Sequence, residues 1–133
     1  MKIYTTYFAK LSKLPNDIVP VPISNSVPGA NRESDTYSSL VANKYKKLVP
    51  PWYIVKAYQE NGDKEQYERD YNKLVLSNLN PHDVVKQLKV YAGYNDVALV
   101  CYEKSSDFCH RHIVAKWLRE AGYDVVEWGD VNG

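Results

Sequence analysis

One run of eleven residues, Cys101-Tyr102-Glu103-Lys104-Ser105-Ser106-Asp107-Phe108-Cys109-His110-Arg111, holds both cysteines, one of the three histidines, a glutamate and an arginine. Each of these types can do chemistry. A thiol becomes a nucleophile when it ionises, a carboxylate can move a proton, and a guanidinium offers a planar donor fork to an anion. Cys109 stands at or next to the start of a predicted helix, where unsatisfied N–H groups lower a thiol pKa; the competing reading is a small buried side chain. Cys101 closes an apolar strand, so burial is expected there, with the option of facing Cys109 across the loop. Cys109, Glu103 and Cys101 are therefore the candidate catalytic residues.

The binding candidates follow from the same geometry. Arg111, in the first helical turn, either clamps a phosphate or carboxylate or pairs with Glu103 or Asp107 and holds the loop. His110 has Ile113, Val114 and Trp117 at helical offsets, so it points to the core side, more as a hydrogen-bonded structural residue than as a base. His112 is expected on the more exposed side. Thr5 and Tyr7, near the carboxyl end of a first strand, and Ser24, at the end of a second, are expected at the same sheet edge, although Thr and Tyr are also simply good strand formers.

Two alternatives carry less weight. Cys101, Cys109 and His110 are metal-type donors, but their spacing matches no common zinc pattern and no fourth ligand is evident, so neither metal nor other cofactor is expected. A phosphatase-type loop is disfavoured, because no glycine lies between Cys101 and Arg111 and Cys109 stands two positions from that arginine. Two cysteines without a secretory context point to reduced thiols; a Cys101–Cys109 disulfide is sterically conceivable as the second reading.

The elements that must position these groups are legible in outline. Lys2 to Phe8 and Asp17 to Ser24 read as strands, the second pushed toward a sheet edge by Pro20 and Pro22. From Asn25 to Pro51 the pattern fails, and a candidate lid or a disordered insertion is expected. Trp52 to Glu60 reads as a helix ended at Asn61-Gly62. Asp63 caps the next, with Tyr67, Tyr71, Leu74, Val75 and Asn78 at helical spacing. Asn80-Pro81-His82-Asp83 is a helix start, and Gly93 is a stop. Asp96 to Tyr102 reads as a buried strand, Cys109 to Ala121 as an amphipathic helix closed by Gly122, and Tyr123 to Trp128 as a last strand. Strand, helix, strand with tight connections implies a right-handed parallel crossover. The expected fold is α/β: a single compact domain over residues 1–133 with a small, mostly parallel sheet flanked by helices.

Composition narrows the function classes. Seventeen basic and sixteen acidic side chains leave a formal charge of +1, which is no electrostatic footprint for duplex nucleic acid. No apolar stretch approaches membrane-spanning length and no signal peptide opens the chain, so no membrane contact and a cytoplasmic location are expected. Twelve tyrosines are many for 133 residues and suit pocket walls and stacking.

Cys101-Tyr102-Glu103 followed after a short gap by Cys109-His110-Arg111 resembles the signature of the domain of unknown function family 488, the YeaO-like proteins. Ile3-Tyr4-Thr5-Thr6-Tyr7-Phe8-Ala9 looks like that family's first strand in a form common among phage and mobile-element members. Tyr45-Lys46-Lys47-Leu48-Val49-Pro50-Pro51-Trp52 looks like its middle motif. The resemblance implies a compact α/β domain in which Cys101, Glu103, Cys109, His110 and Arg111 act as a unit, and it brings no reaction with it. The Asn25 to Lys44 stretch departs from the short connection that the family would lead one to expect.

The expected ligand is a small anionic, nucleotide-like molecule, bound or acted upon at this cluster. A non-catalytic binding or sequestering module, in the host cytoplasm and directed at a host factor if phage-encoded, is the alternative. A redox or metal-sensing dithiol comes third.

Overall fold

The computed structural model describes residues 1–25, 43–102 and 108–129. Four strands, β1 (Ile3–Tyr7), β2 (Ile18–Pro22), β3 (Asp96–Cys101) and β4 (Val125–Glu127), form one sheet of order β2-β3-β1-β4 in which every pairing is parallel. Four α-helices accompany it among the described residues: α1 (Trp52–Asn61), α2 (Lys64–Leu74), α3 (Pro81–Tyr91) and α4 (His110–Glu120). The α/β class with a parallel sheet agrees with the sequence reading, and β2 takes an edge position, where the N–H groups that Pro20 and Pro22 lack are least missed.

Local signals set the helix boundaries. The Asp63 carboxylate accepts from the Gln66 N–H, and the Asn80 side chain accepts from the N–H groups of His82 and Asp83. Gly62 ends α1 in the left-handed region, at φ 65°, where a side chain would be strained. Val75 and Asn78 do not extend α2 as the periodicity suggested. The chain tightens into a 3-10 turn at Leu76–Asn78, which buries Leu76.

One expectation fails between Lys44 and Pro51. That stretch is neither lid nor disordered in its described part. Tyr45 and Leu48 are buried in the core around a 3-10 turn, and the Tyr45 N–H donates to the Pro22 carbonyl. The flanking lysines obscure the apolar pair in the sequence, because they point to water while the tyrosine and leucine point inward. Residues 26–42, where the rest of the proposed lid falls, lie outside the described residues.

The register decides which side chains meet. Thr5 pairs with Leu99 and with Glu127, Tyr7 with Cys101, and Val21 with Leu99. Side chains paired across parallel strands point to the same face. Ile3, Thr5, Tyr7, Leu99, Cys101, Val125 and Glu127 therefore share one face, and α4 packs there through Ile113, Val114 and Leu118. On the opposite face Phe8 and Leu11 pack against Val100.

Candidate functional site

The carboxyl ends of β2 and β3 and the amino end of α4 meet at a cavity of about 460 Å³. Its floor is Cys101, Cys109 and His110, and Ser24, Asn25 and Gln59 supply polar edges. Its aromatic lining is Tyr58, Tyr67, Tyr102 and Phe108. The Phe108 ring lies 4.9 Å from Tyr58 and 5.1 Å from Tyr67, and the row continues through Tyr71 to His110, with centroids 5.6 Å apart. Tyr71 is fixed at its far end, since its hydroxyl donates to the Leu48 carbonyl at 2.6 Å, and burial raises its pKa well above the ordinary value. Tyr58, Tyr67, Phe108 and Gln59 were not among the site residues read from the sequence. Helical spacing marks the tyrosines only as apolar-face residues and cannot say that α1 and α2 wall a cavity.

The two cysteines stand paired as a disulfide, the second of the two readings of the sequence. Cys101 ends β3 and Cys109 is the N-cap of α4, in extended conformation at φ −154° and ψ 145°. The chain thus returns beside the strand it left, and compartment reasoning gives no account of how close that brings the sulfurs. Cys109 makes no side-chain cap to its helix.

His110 is buried, and its imidazole Nε2 lies 2.6 Å from the Ile23 carbonyl. A carbonyl only accepts, so Nε2 carries the proton and Nδ1 presents a lone pair. That Nδ1 lies 3.8 Å from the Cys109 sulfur. Burial lowers the His110 pKa to about 4, with the neighbouring Arg111 charge adding to the effect and the Ile23 bond opposing it. The structural role expected of this histidine agrees with its bond to Ile23.

This burial has a measurable consequence. An unfolded imidazole titrates near ~6.5 and the folded one near 4, so the unfolded chain binds the extra proton between those values. The stability contributed by neutral His110 is full above about pH 6.5 and is lost as pH falls toward 4, on the order of 3 kcal/mol in total. His110→Gln keeps an N–H for Ile23 without a titrating ring. Urea unfolding at pH 7 and pH 4.5 should show the wild type losing more stability on acidification than this variant. Parallel losses would show that His110 gains its proton freely in the folded state.

Arg111 is fully buried and points behind the disulfide rather than into the cavity lining. Its Nε and Nη2 donate to the two carboxylate oxygens of Glu127, at 3.1 and 2.9 Å. Its Nη1 donates to the Cys101 sulfur at 3.2 Å, and its guanidinium carbon lies 5.6 Å from the Tyr7 ring centre. Thr5 Oγ1 donates to Glu127 at 2.6 Å. Thr5, Tyr7 and Arg111 thus come together as expected, but around Glu127. The candidate residues fall into two groups on either side of the sulfurs: Ser24, Cys101, Cys109 and His110 at the cavity, and Thr5, Tyr7 and Arg111 behind it. Glu103 and Asp107 lie outside the described residues.

A parallel α/β sheet with a cysteine-pair corner at its carboxyl edge defines the class of site. Residues 9–122 match the sequence profile DUF488-N3a, described as the active DUF488-N3 subclade, and the chain belongs to the DUF488 family. Comparison with curated proteins and with solved structures gives no significant match. No helix among the described residues is long and apolar enough to cross a membrane.

Proposed function

We propose that the chain binds a nucleotide-like anionic small molecule in the cavity beside Cys101, Cys109 and His110, and acts on it when the cysteines are reduced. The observation that carries this reading is the composition of the cavity. Tyr58, Tyr67, Tyr102 and Phe108 give it aromatic surface for a planar heterocycle, and the Asn25 and Gln59 amides offer hydrogen bonds to the edge of such a ring. The amino end of α4, whose N-cap residue Cys109 makes no side-chain cap, favours a negative group nearby. The description of the matched subclade as active supports turnover.

A second reading, a binding module without turnover, is favoured by one feature: in a disulfide neither sulfur is a nucleophile. Arg111 serves the ligand indirectly in both readings, by holding Cys101 and the edge of the sheet.

Binding is tested by thermal unfolding with mononucleotides, nucleosides and inorganic phosphate. A ligand at 100 times its Kd adds about 2.7 kcal/mol of stability, so a nucleotide should raise the Tm by several degrees. Tyr58→Ala should remove most of that gain. Equal protection by phosphate alone would remove the stacking role, and no protection by any of them would remove the reading. Turnover confined to the reduced protein would separate the enzyme from the binder.

A further inference from the structure

We propose that Cys101, Cys109 and His110, once the disulfide is reduced, form a zinc site with one coordination position open to the cavity. This goes beyond the ligand-binding reading and does not depend on which molecule fills the cavity.

The donors are already gathered. The two sulfurs and a ring nitrogen of His110 all lie within 4.8 Å of one another, and all three residues are buried. Zinc bonds of ~2.3 Å to sulfur and ~2.0 Å to nitrogen, at tetrahedral angles, place such donors roughly 3.5–3.8 Å apart. The Cys109 sulfur and His110 Nδ1 stand at 3.8 Å. Parting of the sulfurs on reduction leaves room for an ion between them.

The neighbours are those of a metal site. The Ile23 carbonyl accepts from Nε2 and so fixes the tautomer in which Nδ1 is the ligand. Arg111 Nη1 donates to the Cys101 sulfur and is itself held by Glu127. Such a donor stabilises a thiolate and sets its direction. Two thiolates and one imidazole leave a fourth position, and the cavity floor is where these three residues reach the surface. Three protein ligands with an open position is the arrangement in which zinc polarises a substrate or activates a water.

The objection from the sequence was a spacing that matches no common zinc pattern, the missing fourth ligand being the open position. The backbone removes that objection. Cys109 is an extended N-cap and His110 is the first helical residue, so consecutive side chains turn into one corner.

The chemistry balances with a thiol reductant. A dithiol gives two electrons and two protons to the S–S bond and becomes a disulfide itself; Cys101 and Cys109 become thiols. Zinc then displaces both thiol protons to solvent and binds two thiolates and the neutral ring.

The test is an anaerobic cobalt(II) titration of the full chain, reduced with dithiothreitol and desalted, against the untreated disulfide form. The reduced protein should take up one ion per chain. A thiolate-to-cobalt charge-transfer band and the intense visible bands of a tetrahedral site should appear, and added zinc should abolish both. The oxidised protein, with the same fold, should show neither. Cys101→Ser and Cys109→Ser should each weaken binding by at least about tenfold, the smaller effect seen when mere supporting residues are removed. A reduced wild type without the charge-transfer band would overturn the site. So would the same band in the Cys101→Ser/Cys109→Ser double variant, or equal cobalt affinity in the oxidised protein.

Discussion

Glu127→Ala should destabilise the protein by about 3–5 kcal/mol, the largest single-site loss expected at this corner. The Arg111 guanidinium is fully buried, and the Glu127 side chain is only 10% exposed. Removing the carboxylate strands a charged group in the interior with its bidentate partner gone. It also removes one of the ties between α4 and β4, a three-residue edge strand, and leaves the Arg119 Nε bond to the Val125 carbonyl. Urea unfolding of the variant should show the loss, and it should persist at high salt because a buried pair is little screened. The double variant Arg111→Met/Glu127→Leu should recover most of it, since no charge is then left unpaired. A loss under 1 kcal/mol would place the pair in the class of solvent-exposed bridges. Arg111→Lys should not substitute, because an ammonium cannot satisfy both carboxylate oxygens and the Cys101 sulfur in this planar arrangement.

Reduction of the Cys101–Cys109 bond should cost about 2.5 kcal/mol at 25 °C. The figure follows from the loop-entropy relation applied to a sequence separation of 8. Urea midpoints with and without dithiothreitol measure it directly. The Cys101→Ser/Cys109→Ser variant should be insensitive to reductant and lie close to the reduced wild type. A wild type equally stable in both conditions would show that the sulfurs are not bonded in solution. The two predictions are coupled. Arg111 bridges Glu127 and the Cys101 sulfur, so the Glu127 and cysteine variants should not be additive.

Much of the framework is written in short-range chemistry. Asp63 and Asn80-Pro81 announce helix starts because a cap is a contact between a side chain and an N–H two or three residues away. Asp96 to Cys101 reads as a strand because both of its faces are buried. Pro20 and Pro22 place β2 at an edge because each lacks the donor that an interior strand would use. The ends drift by a residue or two, as at Val75, where the choice between an α and a 3-10 turn depends on what Leu76 packs against.

The site divides along the same line. The sequence by itself determined that Cys101, Cys109, His110 and Arg111 sit at a strand-to-helix crossing, and that Thr5, Tyr7 and Ser24 share its edge. Strand polarity and helix phase settle both, and both are periodic in the chain. Only the tertiary structure decided the partners. Glu127 binds Arg111 because β4 docks on β1 in the register that sets Glu127 beside Thr5. Tyr58 and Tyr67 wall the cavity because α1 packs on α2 and α2 on α4, which brings both rings against Phe108, and Tyr45 and Leu48 enter the core between lysines that stay in water. The cysteines meet because α4 begins beside the end of β3. Each of these is a contact between residues whose distance along the chain says nothing about their distance in space, so no local pattern can encode it.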